Sequence, residues 1–240
     1  METRSKITDG TSNDKGAPAQ PDERMLREQR LLDVASALLV RWGYRRTTLD
    51  DVAREAGVGK GTIYLHWKDK KDLFRAAIWR ANHQVSEDLK QRIAADPEGG
   101  LPHRLWVHSI LAALTNPLVA AQIRGQSDLF QGLIDTFDSK AREQLVGHAD
   151  TYVAQLQQAG LIRTDLPVPV ITYLLASLKM GLISAPELVG QTNMPSLEQL
   201  AVALSDLLRR WLEPEQLPGD TEAGKQALGE WLEHFNSMEG

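Results

Sequence analysis

One stretch constrains this chain more than any other: Thr48-Leu-Asp-Asp-Val-Ala-Arg-Glu-Ala-Gly-Val-Gly-Lys-Gly-Thr-Ile-Tyr-Leu-His-Trp-Lys-Asp-Lys70. It reads as two short helices joined by a tight glycine turn, with basic, hydroxyl and aromatic side chains crowding the second. Thr48 followed three residues later by Asp51 is a capping box, with Asp in place of the usual Glu. The helix it opens runs to about Ala56, and Ala53 is small where another helix must cross closely. Gly57 supplies the turn and Val58 plugs the angle. A further helix covers roughly Lys60 to Trp67, with Ile63 turned to a small core. This is how a chain presents one helix to the major groove of DNA.

The flanking sequence completes a three-helix head. Leu31, Leu32, Ala35, Leu38, Leu39 and Trp42 recur at helical spacing, Asp22 caps that helix at its start, and Gly43 ends it. Asp69 and Asp72 favour the start of a fourth helix, whose pattern continues to about Ala95. At 1.5 Å per residue it is about 40 Å long, a stiff link between head and body. Pro97 to Pro102 reads as a loop. Helical patterns then cover about 102–115, 117–124, 127–159, 168–184 and 196–212. A last amphipathic piece, Ala227, Leu228, Trp231, Leu232 and Phe235, lies beyond a Pro/Gly/Glu linker and calls for docking on the body or on a second subunit. No β-rich segment stands out. The fold class is all-α. Its organisation is an N-terminal arm over 1–21, a helix-turn-helix head over 22–68 (motif about 48–67), a helical body over 69–212 with its linking helix at 69–95, and a linker with a C-terminal helix over 213–240.

The net charge of −5 looks wrong for a DNA binder, but its distribution answers the objection. Residues 22–80 carry +4, residues 81–240 carry −9, and residues 1–21 are balanced. A basic segment ahead of an acidic body suits a nucleic-acid head on a domain with another task. There is no Cys, so disulfide and thiolate chemistry are excluded, which fits a cytoplasmic setting. The polar N-terminus lacks a signal-peptide core. No apolar run reaches membrane-spanning length, and the richest, Val168 to Ile183, is interrupted by Pro169 and Lys179.

At these residues the chain resembles the TetR family of bacterial transcriptional regulators. The likeness runs from about Arg30 to Leu73 and rests on Leu31-Leu32, Ala35, Gly43, Thr47-Thr48, Val52-Ala53, Ala56-Gly57-Val58, Gly61-Thr62, Tyr64, His66-Trp67, Lys70 and Leu73. The chain departs from the family at Gly59, where Ser is usual, and at Trp67, where Phe is usual. The resemblance implies a homodimer whose last two body helices form a four-helix interface, and a small-molecule inducer pocket in each body. It also implies a repressor acting on a pseudo-palindromic double-stranded operator. A protein partner in place of the inducer stays open as the alternative.

Side-chain chemistry assigns the DNA contacts to Thr47, Thr48, Lys60, Gly61, Thr62, Tyr64, His66 and Lys70. Thr62 and Tyr64 donate to phosphate oxygens, Lys70 and Thr47 hold the backbone from either side, Gly61 permits close approach, and Lys60 is placed to read guanine. The expected pocket residues are Trp106, His108, Asn116, Arg124, Phe130, Phe137, Tyr152 and Tyr173. No cofactor, metal or catalytic site is expected. Gly57-Val-Gly-Lys-Gly-Thr62 imitates a nucleotide P-loop, but Arg54 stands where the first glycine belongs and Gly61 separates Lys60 from Thr62. His103 and His108 are five apart, about 140° around a helix, so they diverge.

Overall fold

The computed structural model describes residues 21–123, 139–190 and 194–237. They form ten helices and, among the described residues, no strand. The first four are α1 (Pro21–Arg46), α2 (Leu49–Ala56), α3 (Lys60–Tyr64) and α4 (Lys70–Ala95). The body continues with α5 (Pro102–Thr115), α6 (Pro117–Ile123), α7 (Ser139–Gln158), α8 (Val168–Val189), α9 (Leu197–Leu212) and α10 (Glu222–Ser237). No helix among the described residues is long and apolar enough to cross a membrane.

The head core gathers Leu31, Leu38 and Leu39 from α1, Val52 and Ala56 from α2, Ile63 from α3, and Leu73, Phe74 and Ala77 from α4. It does not stop at the foot of α4. Ile78 and Ala81 extend it along that helix, and Leu118, Val119 and Ala121 of α6 pack into the same cluster. The head is therefore tied to the body by α4 and α6, with Ala113 of α5 in the same cluster, and packing gives no break at residue 68.

Two further clusters build the body. Leu101, Val153, Leu156, Leu161, Ile171, Leu208 and Leu212 join α7, α8 and α9 to the start of α5. Leu89, Ile93, Leu105, Ala112, Leu228 and Leu232 join α4, α5 and α10. The C-terminal helix thus docks on its own subunit. Its seat demands glycine twice: a Cβ at Gly224 would overlap the carbonyl oxygen of Gly100, and one at Gly100 would overlap the carbonyl of Thr221. The aromatic end of α10 closes over α4 and α7. Phe235 lies 5.2 Å from Trp79 and stacks on Trp231 at 5.5 Å, and Trp231 lies 6.4 Å from Tyr152.

Buried charge holds the body's corners. Asp96 ends α4, and its Oδ2 accepts from Arg104 Nε and His108 Nε2, both at 2.7 Å. A carboxylate only accepts, so the ring proton of His108 sits on Nε2, and Nδ1 is left buried with no partner. Burial pushes the Asp96 carboxyl up. The hydrogen bonds from His108, Arg104 and the Glu98 backbone together outweigh it and hold the carboxyl at about 2. On another side of the same end of α5, Glu213 Oε1 accepts from the backbone N–H of His103 at 3.0 Å and lies 2.7 Å from its Nδ1. The two histidines do diverge, each to its own carboxylate.

Candidate nucleic-acid interface

Local hydrogen bonds set the geometry of the α2–α3 turn. Thr48 Oγ1 accepts from Asp51 N at 3.2 Å, while Asp51 Oδ2 accepts from Thr48 N at 3.0 Å, which completes the capping box. The Thr48 hydrogen bonds, with help from Arg54, hold the Asp51 carboxyl below its ordinary range. Gly57 ends α2 in the left-handed region at φ 68°, ψ 34°, where a side chain would be strained. Val58 N then returns to Ala53 O at 3.0 Å. Gly59 starts α3 with extended backbone and no side-chain cap.

Ile63 fixes which way α3 faces, because its side chain is fully buried in the head core. At about 100° per residue, Thr62 and Tyr64 flank it, and Gly61 lies on the opposite side. Tyr64 is 51% exposed. Nothing lies within 4 Å of where a Cβ on Gly61 would be, so the outer surface of α3 is open there. Leu65, in helical conformation just past the end of α3, falls on the same outer side as Gly61 and is 72% exposed. Leu65 is not among the side chains whose polar chemistry marks them for DNA contact. Counting two residues on from Ile63 would have found it.

Several assigned contacts turn out to have other duties. Thr47 is fully buried, and its hydroxyl donates to Gly43 O at 2.8 Å, with Leu38 O at 3.3 Å. It locks the α1–α2 corner and cannot reach a phosphate. His66 is turned inward against α1, its side chain 5% exposed, with Nδ1 3.4 Å from Glu28 Oε2 and its ring against Trp67. Three residues on from Ile63, it lies only about 60° from that side chain around the helix, on the side of α3 that packs on the head. Thr48 is exposed but spends its hydroxyl on the cap, donating to Asp51 Oδ2 at 2.6 Å. Lys60 reaches across to α2 and donates to Asp50 Oδ2 at 2.9 Å, a bond that raises its pKa. Both partners are exposed, so the pair can open cheaply. Lys70 lies over the Tyr44 ring at 4.6 Å, within 3.5 Å of Arg45 O, and burial lowers its pKa.

Among the described residues, the expected pocket side chains have separate duties, though Trp106 and Tyr152 pack against one core cluster. Arg124, Phe130 and Phe137 lie outside the described residues. Trp106 packs on the α7–α9 core and Tyr152 is enclosed between α7 and α10, where burial raises its phenol above the ordinary range. His108 is bound to Asp96. Asn116 caps α6, its Oδ1 accepting from Leu118 N at 3.0 Å, while Nδ2 donates to Gln84 Oε1 at 2.9 Å. Tyr173 points outward, 72% exposed, on the same side of α8 as exposed Val170 and Leu174. The four-residue rise between Val170 and Leu174 makes that side an apolar face, so Tyr173 serves a surface and not an interior.

Comparison with known proteins agrees with this geometry. Residues 31–77 match the profile of bacterial regulatory proteins of the tetR family. The chain is 29% identical over 191 residues to the HTH-type transcriptional repressor BepR of Brucella suis, covering 79% of this chain and 82% of that protein. It is 35% identical over 88 residues to the HTH-type transcriptional regulator YhgD of Bacillus subtilis, where the match covers 37% of this chain and 44% of that protein. The match thus spans less than half the length of that relative. The fold is similar to that of FadR from Bacillus subtilis, solved in complex with stearoyl-CoA: TM-score 0.54 at 20% identity, over 75% of this chain and 96% of that one. A head built on the α2–α3 turn and a matching profile over that head place the DNA-binding head of this chain in the tetR family of bacterial regulatory proteins.

Proposed function

We propose that this chain is a cytoplasmic, sequence-specific DNA-binding transcriptional regulator, acting as a homodimer and as a repressor released by a small molecule. The observation that carries the reading is the outer side of α3. Gly61 leaves the backbone bare, Thr62 and Tyr64 stand on either flank, and a continuous core behind Ile63 holds the helix in place. That arrangement inserts into a major groove, with hydroxyls on the phosphates and the helix backbone close to base edges. The exposed apolar side chains Val170, Tyr173 and Leu174 of α8, with Val202 and Leu207 of α9, suit burial against a second copy. Two heads would then meet a pseudo-palindromic operator about one DNA turn apart, or at a related spacing.

Likeness to a repressor from Brucella suis, and to a fold solved with stearoyl-CoA, supports ligand control. A ligand must favour the state whose heads are wrongly spaced, because equal affinity for both states shifts nothing. A preference of about 1–3 kcal/mol is enough for a switch. The routes available are α4 and α6, which both pack into the head core.

The test is binding of the full chain to duplexes enriched from a random library, measured by fluorescence anisotropy across a salt series. Affinity should fall steeply as salt rises, since each neutralised phosphate releases counterions. A flat salt profile, or no enrichment, refutes groove binding. Adding long-chain acyl-CoA thioesters to the bound complex then tests ligand release.

A further inference from the structure

Leu65 is the large apolar side chain at the outermost edge of the presented helix. Ile63 points straight into the head core, and Gly61 and Leu65 each stand two residues from it, about 200° around the helix. The backbone of Leu65, φ −73° and ψ −18°, keeps it on the helical wheel although regular hydrogen bonding ends at Tyr64. A single exposed leucine is common on protein surfaces and says little alone. Its place and its neighbours decide the matter here. Lys60 lies only about 60° from Ile63 on the wheel and is tied to Asp50, and His66 is turned inward against Glu28. Thr62 and Tyr64 sit on the flanks, where the groove walls are. The centre of the face is left with a bare glycine and a leucine.

We propose that Leu65 reads the operator by apolar contact with the 5-methyl group of a thymine, one in each half-site. The inference rests on the DNA-binding reading above and gives its base-reading chemistry. Thymine follows because, of the four bases, it alone places a methyl group in the major groove. Gly61, one turn earlier on the same side, lets the helix come close enough for the leucine to reach it. The position reads shape and apolar surface, and its discrimination is against pairs that put an amino group or a bare edge there.

The experiment uses the full chain and a duplex it enriches from a random library. Each thymine of that duplex is replaced in turn by deoxyuridine, which lacks only the methyl group. Affinities are measured for the wild type and for Leu65→Ala, with thermal melting to establish that the exposed substitution leaves the fold intact. At one position per half-site, deoxyuridine should weaken the wild type about four-fold, the value of one buried methyl. Leu65→Ala should bind the thymine duplex more weakly and show no further loss on deoxyuridine at that position. Thr62→Ala should bind weakly but keep the full deoxyuridine penalty. If no thymine carries a penalty, or if Leu65→Ala retains it, the assignment of Leu65 is overturned while operator binding stands. If no duplex is enriched, the DNA-binding reading fails and takes this assignment with it.

Discussion

The end of α3 and the C-terminal helix both display large apolar side chains, and the fold treats them in opposite ways. On α10, Leu228, Trp231, Leu232 and Phe235 follow helical spacing, and the whole stripe is spent on α4, α5 and α7. On α3, Tyr64 and Leu65 are adjacent in sequence, diverge by about 100°, and stay in solvent. A stripe can be buried by one neighbour. Two side chains that fan out from a short helix cannot, but they can enter a groove. The polar groups show the same division. The ion pair nearest the presented face, Lys60–Asp50, is exposed, while Asp96 and Glu213 are enclosed at the corners of the body.

The strongest way to break this contrast is to attack α10. Leu232→Ala removes a side chain that is almost fully buried between α4, α5 and α10. The loss should be about 3 kcal/mol, a fall in melting temperature of roughly 6–12 °C. Thermal unfolding by circular dichroism measures it. A change below roughly 0.5 kcal/mol would mean that α10 does not dock as described.

Next in size is the corner at Asp96. Its carboxyl is held at about 2, below its ordinary value of 3.8, so ionised Asp96 stabilises the fold above the unfolded-state pKa. That contribution, on the order of 2 kcal/mol, is lost as pH falls from about 4 through about 2. Asp96→Asn should be less stable than wild type at pH 7, with the gap closing towards pH 2. Parallel urea titrations at several pH values read this directly, and a gap that stays constant across the range would refute the corner's role.

How far the chain could be read in advance follows from how local each signal is. The capping box at Thr48, the turn at Gly57 and the N-cap at Asp69 each depend on four or five consecutive residues, and all three stand where the sequence puts them. The partner that His66 meets, Glu28, lies far back on α1, and the locked hydroxyl of Thr47 depends on carbonyls of α1. Local spacing does not carry such information. The pairing of His103 with Glu213 spans 110 residues and has no sequence signature. The stripe on α10 announced that it would be buried, yet a periodic stripe looks the same whichever subunit covers it. Tyr173 failed for a related reason: an aromatic residue within an apolar helix gives no sign of which side is outward until its neighbours are packed.

A smaller effect separates presentation from stability on α3. Tyr64→Ala should weaken operator binding about ten-fold, the worth of one hydrogen bond to a charged phosphate oxygen. Its melting temperature should match wild type, because the side chain is half in solvent. Anisotropy and melting on the same preparation make the comparison. Equal losses in both would move Tyr64 into the group that supports the head, with Thr47 and His66.

The smallest effect concerns the bond that restrains Lys60. Asp50→Asn removes the carboxylate that accepts from Lys60 Nζ and also removes one negative charge beside the DNA-facing helix. Both changes favour association with phosphate, so operator affinity should rise, by about two- to three-fold at low salt, and the gain should shrink as salt screens the charge. Stability should not move measurably, since the pair is exposed on both sides. A rise in affinity that persists undiminished at high salt would point instead to Lys60 making a direct base contact once freed, and would return to it the reading role proposed for Leu65.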